Sequence, residues 1–190
     1  MIRLHSVALL CILAVFAGCA SAPPKAGDAP AAAAEPARIA PAVAVPAASA
    51  AKVVLAMTGP ANVTGAKDWR DFQREWRETF AEYAKQNGIA FSFAEGEAKP
   101  TGEEGTLLAV EVADYRMVGI GSRIMFGIMT GNAFIEAKVR FVNLRDGSVF
   151  GEQQYSTTSS AAAGIFAKVT PQQVNAIGQN IFLDLKPARP

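Results

Sequence analysis

The sequence predicts an α+β fold, an α/β sandwich in which helices pack on one face of a single, mostly antiparallel sheet in the order β-α-β-β-β-α. Three observations carry that expectation. Trp69, Phe72, Trp76, Phe80 and Tyr83 recur every three or four residues, which draws one apolar stripe along a helix. Ile135, Ala137, Val139 and Phe141 alternate with Glu136, Lys138 and Arg140, the pattern of a half-buried strand. Val174, Ile177, Ile181 and Leu185 then return to the helical period near the C-terminal end.

Taken in order, Lys52 to Met57 reads as a buried first strand closed by the breaker pair Gly59-Pro60. The aromatic stripe predicts a helix over 68–87, with Asp68 and Asp71 at the positive end of its dipole, Lys85 at the other end and Gly88 as the C-cap. Between the aromatics, Arg70, Arg74, Glu75, Arg77, Glu78 and Glu82 read as a solvated face, and the stripe itself as core rather than as a platform for stacking sugars. Ile89 to Phe93 and Thr106 to Tyr115 follow as strands. Ala133 to Val142 is next, and Arg145-Asp146-Gly147 supplies turn chemistry into a further strand from Ser148 to Thr157. Thr170-Pro171-Gln172-Gln173 is a capping box with proline at the first helical position, so a closing helix begins there.

Upstream of this unit the composition changes. Residues 20–51 hold 16 alanines and 6 prolines. Prolines at that density break helices, and the tract has too few large apolar groups to offset its ordering entropy. The expectation is a disordered spacer over 19–51, about 30 Å across when flexible and about 100 Å when stretched as polyproline II, followed by one globular domain over 52–190. Residues 1–18 have the form of an export signal, with Arg3 ahead of an eleven-residue apolar core from Val7 to Ala17. That core is too short for a permanent membrane span, which needs about 20 residues.

Phe16-Ala17-Gly18-Cys19 then resembles the lipobox of bacterial lipoproteins, with Phe16 where leucine is commoner. The resemblance implies cleavage before Cys19, a lipid on its thiol and acylation (palmitate) of the new amino group. More than one chain is what stable anchoring requires. Ala20, in place of the aspartate that retains such proteins at the inner membrane, implies sorting to the outer membrane with the domain facing the periplasm; exposure on the cell surface stays open as the alternative.

Charge and residue counts bound the chemistry. The 18 basic and 17 acidic residues nearly cancel, which leaves no footprint for nucleic acid. The two cysteines are Cys11 and Cys19 and the one histidine is His5, so removing residues 1–18 leaves Cys19 alone and no histidine. Triads, cysteine–histidine dyads and zinc sites are thereby unexpected, and no cofactor or metal is expected. Carboxylates remain. Glu111 and Asp114 lie three apart on a predicted strand and so are expected on opposite faces, unable to flank one glycosidic bond. No catalytic residue is assigned.

The segment from Val118 to Asn132 is apolar, glycine-rich and set between two strands. Gly119-Ile-Gly121 falls short of a nucleotide-binding pattern because Ile124 occupies the third glycine position. Two readings stay open: a crossover packed on the sheet, or a partner-binding or self-association loop. In the second, Arg123 is a polar anchor, Met125 and Met129 are adaptable contacts, and Phe126 and Asn132 complete the candidate site.

Asp114-Tyr115-Arg116, the run Gly127-Ile-Met-Thr-Gly-Asn-Ala133, Asp146-Gly147, the run Tyr155-Ser-Thr-Thr-Ser-Ser160 and Thr170-Pro-Gln-Gln-Val174 together resemble the bacterial lipoproteins grouped as domain of unknown function 4410, over about 70 residues. That resemblance implies no activity. More loosely, the element order resembles envelope lipoprotein domains that activate cell-wall synthases or assemble secretion channels. The expected function is a non-catalytic binding or assembly domain on a lipid anchor, in cell-envelope biogenesis or maintenance. Its expected partners are the membrane, an envelope protein or peptidoglycan, and a second copy of itself. The alternative is a carboxylate-dependent enzyme acting on peptidoglycan or glycan.

Overall fold

A computed structural model describes residues 37–38, 42–117, 133–158 and 169–185. Ten elements follow in chain order: β1 (Ala37–Arg38), α1 (Ala47–Ala50), β2 (Lys52–Thr58), α2 (Ala61–Thr64), α3 (Trp69–Gln86), β3 (Ala90–Glu95), β4 (Thr106–Arg116), β5 (Phe134–Asn143), β6 (Val149–Thr158) and α4 (Val169–Leu185). The strands form one sheet in the order β1-β6-β5-β4-β2-β3. Pairing is antiparallel from β1 through β4 and parallel at β4–β2 and β2–β3, so the sheet is mixed. The fold is α+β, as the periodicities require. The five strands read from the sequence, both members of the Arg145-Asp146-Gly147 hairpin included, are all present, so the β-α-β-β-β-α order is one strand short.

The helix α3 forms where the aromatic stripe put it. Its buried residues are Trp69, Phe72, Trp76, Phe80 and Ala84, all members of the main core. Its C-terminus closes as a Schellman motif: Ile89 N–H donates to the Ala84 carbonyl at 2.9 Å and Gly88 N–H to Lys85 at 3.2 Å, with Gly88 at φ +67°. The second long helix, α4, packs beside α3, and Gly178 permits the approach: a Cβ there would sit 3.3 Å from the Tyr83 ring. Gln173 does not complete the expected capping box. Its side chain turns inward and donates to the Ala133 carbonyl at 3.1 Å, tying the start of α4 to the start of β5.

Both strands that flank β2 run parallel to it, so the chain leaving β3 must travel back along the sheet before entering β4. Residues 96–105 make that return without a helix, across the face opposite α3 and α4. Ala98 packs there on a small second core of Ala56, Leu107, Val142 and Leu144. Thr101 and Gly102 N–H groups both donate to the Leu144 carbonyl, and Lys52–Glu103 and Arg145–Glu104 ion pairs hold the loop's far end.

The expected boundary at Lys52 is too late in the chain. Residues 42–51 belong to the domain: Val43 and Val45 are buried, and α1 buries Ser49 and Ala50. Val43 seats over Gly151 of β6, where a Cβ would meet both valine methyls at 3.0 Å. The Thr106 hydroxyl donates to the Ser49 carbonyl at 2.8 Å, and β1 pairs with the outer edge of β6. Within this alanine-rich tract Gly151 gives Val43 a slot, and the open edge of β6 gives Ala37–Arg38 backbone partners.

Candidate functional site

The candidate contact residues Arg123, Met125, Phe126, Met129 and Asn132, and the lipidation residue Cys19, lie outside the described residues. The structure does describe the frame that bears the 118–132 segment. Arg116 of β4 pairs with Phe134 of β5, and Phe134 pairs with Thr158 of β6. The chain therefore enters and leaves both 118–132 and 159–168 at one end of the sheet, beside the start of α3.

Tyr115 builds this end. Strand parity alone would turn it outward, since Val110 and Val112 face the core. A register shift between Val112 and Asp114 inserts one residue, after which Tyr115 pairs with the buried Ile135 and faces inward. Its ring stacks on Phe72 with centroids 4.2 Å apart and 13° between planes, and lies 5.9 Å from Trp69. The Tyr115 hydroxyl donates to Asp68 Oδ1 at 2.8 Å. Asp68 is the N-cap residue of α3 yet makes no side-chain cap bond, because its carboxylate serves this tyrosine instead. Burial first, and then the Asp68 hydrogen bond and charge, push the Tyr115 phenol well above its usual range.

The same bulge overturns the expectation for the carboxylates. Glu111 pairs with Lys138 and Asp114 with Glu136, and Lys138 and Glu136 share one face of β5. Glu111 and Asp114 therefore stand on the same exposed face of the sheet, and Asp114 is directly opposite Glu136. The inserted residue changed the parity on which the opposite-face argument rested. Among the described residues no group of three or more His, Cys, Asp or Glu side chains is placed to hold a metal ion.

A second feature lies between α3 and the edge strand β3. A cleft of about 520 Å³ is lined by Arg70, Gln73, Arg74 and Arg77 on the helix side and by Phe93 and Glu95 on the strand side. Arg74 pairs with Asp71 at 2.7 Å; among the described residues Arg70 and Arg77 have no ion pair. Reading these charges as one mixed solvated face missed their sorting by sign, which a helical wheel of α3 would have displayed. A smaller cleft of about 390 Å³ opens on the opposite face between the 96–105 loop and the sheet, beside Thr58, Lys99, Arg140 and the exposed Val149.

Among the described residues no helix is long and apolar enough to cross a membrane. No family model matches the chain, and no curated protein matches it. Among solved structures the chain is similar to the PelC dodecamer from Paraburkholderia phytofirmans, at 12% identity over 77% of this chain and 95% of that one, with a TM-score of 0.47. It is also similar to the lipoprotein GNA1162 from Neisseria meningitidis, at 16% identity over 57% of this chain and 83% of that one, TM-score 0.37. A neuraminyllactose-binding hemagglutinin homolog from Helicobacter pylori matches at 9% identity over 72% of this chain and 86% of that one, TM-score 0.38. Function is therefore argued from the chain's own residues.

Proposed function

We propose that the chain is an outer-membrane lipoprotein, anchored through acylated Cys19, whose periplasm-facing domain binds or assembles rather than catalyses. The 118–132 segment is its contact element, and its occupant is an envelope protein or a second copy of the chain. The observation that supports this reading is the mount at the loop-bearing end: Tyr115, stacked on Phe72 and hydrogen-bonded to Asp68, fixes the strand three residues before the segment begins. Binding loops act from rigid scaffolds of this kind, which spare the partner part of the ordering cost. The tract ahead of β1 serves as the tether. The likeness to the domain of unknown function 4410 lipoproteins belongs to the same proposal and adds no activity to it.

Crosslinking in intact envelopes tests it. The double variant Met125→Asp, Met129→Asp is expected to lose the captured partner or the self-crosslink while the domain unfolds at the same denaturant concentration as wild type. Undiminished capture would remove the segment from the interface. Mass spectrometry of the mature chain tests the anchor separately, a bare Cys19 thiol or an uncut leader being the adverse result.

One observation favours a second reading. Glu111, Asp114 and Glu136 on a single exposed face give the chain a facing acid pair, which a carboxylate-dependent glycan hydrolase requires. None of the three lines either cleft, and the binding reading is preferred on that ground.

A further inference from the structure

The charges of α3 are sorted by sign around the helix. At about 100° per residue, Arg70, Arg74 and Arg77 fall within roughly 60° of arc, with Gln73 continuing the stripe toward β3. Asp71, Glu75, Glu78 and Glu82 occupy the neighbouring arc, so the acids and the arginines form two rows rather than a mixture. The basic row borders the α3–β3 cleft, and its about 520 Å³ lies inside the range of small-ligand sites. From Arg70 to Arg77 the row runs about 10 Å along the helix axis.

The lining has three chemical parts. Arg70 and Arg77, without ion pairs among the described residues, offer guanidinium forks that match a carboxylate or phosphate in two parallel hydrogen bonds. Arg74 is partly neutralised by Asp71. Gln73 and Glu95 can exchange hydrogen bonds with hydroxyl groups, and Glu95 would repel a ligand made of phosphates alone. The half-buried Phe93 ring gives an apolar wall against which a pyranose face can lie. A nucleic-acid strand would need a longer basic track and a net positive domain, whereas the 15 basic and 15 acidic residues of 52–190 cancel.

We propose that the cleft between α3 and β3 is a binding site for an acidic sugar, a pyranose unit carrying a carboxylate or a phosphate. Arg70 and Arg77 take the anion, Gln73 and Glu95 take hydroxyls, and Phe93 takes the ring. The residues named for this site are not those of the 118–132 contact element.

Calorimetric titration of the full-length chain in detergent tests the proposal with four probes: a galacturonate trisaccharide, a hexose phosphate, a neutral galactose trisaccharide and phosphatidylglycerol vesicles. The acidic sugars are expected to bind, with affinity falling as salt rises, and the neutral trisaccharide to bind about tenfold more weakly or worse. Arg70→Gln and Arg77→Gln should each weaken the acidic sugar about tenfold, the scale of one charge-assisted hydrogen bond. Arg145→Gln, on the far hairpin, should leave it unchanged, and equal urea midpoints would show that every variant is folded. Failure of both acidic sugars to bind, equal binding of the neutral one, or binding retained in the Arg70→Gln, Arg77→Gln double variant would overturn the proposal. Arginine-dependent binding of vesicles in preference to the sugars would also overturn it, in favour of a lipid head-group site. Loss of the lipid anchor or of the loop contact would leave these titrations unaltered.

Discussion

Replacing Tyr115 by phenylalanine removes one hydroxyl and keeps the ring on Phe72. The lost bond is to a carboxylate, and such bonds contribute about 1.5–3 kcal/mol when fully buried. Here the ring is half-buried and Asp68 remains hydrated after the change, so about 1 kcal/mol is expected at neutral pH. The pH dependence is the sharper test. The folded phenol is held above its usual range, so it keeps its proton where the unfolded chain begins to lose one. A raised folded value means that the stabilisation is complete below about pH 10 and drains away as pH climbs beyond it, by at most about 1.4 kcal/mol per pH unit. Solvent screening at the partly exposed ring makes that slope a ceiling. Urea unfolding of wild type and Tyr115→Phe between pH 7 and pH 11 should therefore show a gap near 1 kcal/mol that closes about one unit above the normal phenol value. Tyr83, also raised by burial, titrates alike in both proteins and cancels in the difference. A gap of zero at neutral pH, or one that does not narrow above pH 10, would refute the assignment of Asp68 as the hydroxyl's acceptor.

The domain boundary and the acid face give two more expectations. Val43→Ala with Val45→Ala removes about four buried carbons, so up to about 3 kcal/mol is lost at about 0.8 kcal/mol per group; an unchanged urea midpoint and no new protease cleavage before Lys52 would show that residues 42–51 do not hold the β6 edge. Purified cell wall should stay intact with wild-type protein and with Glu111→Gln, Asp114→Asn and Glu136→Gln alike. Wild-type cleavage that any of these variants abolishes would establish the hydrolase reading in place of the binding one.

Elements set by short-range chemistry were legible in the sequence: the aromatic stripe of α3, its glycine stop, the alternation of β5 and the Asp146-Gly147 turn each depend on residues within a few positions of one another. In that turn, Ser148 N–H donates to Asp146 Oδ1 at 2.8 Å and Gly147 sits at φ +80°. What stayed hidden depends on partners distant in the chain. Val43 and Val45 look like linker until Gly151 and the β6 edge stand opposite them. Parallel pairing of β3 and β4 on either side of β2 follows from the 96–105 return loop crossing the sheet, and no local pattern announces that path.

The bulge at Val112/Asp114 shows why site residues are harder to read than elements. One inserted residue leaves the strand a strand, but every side chain after it changes face. It moves Asp114 beside Glu111, swings Tyr115 into the core and so delivers a partner to Asp68, which then gives up capping α3. The arrangement of side chains at this end is thus a consequence of a single parity change that composition and spacing do not encode. The arginine row differs in kind. Its sorting is present in the sequence at the helical period, and only the opposing wall of β3, with Phe93 and Glu95, was needed to turn a solvated face into a cleft.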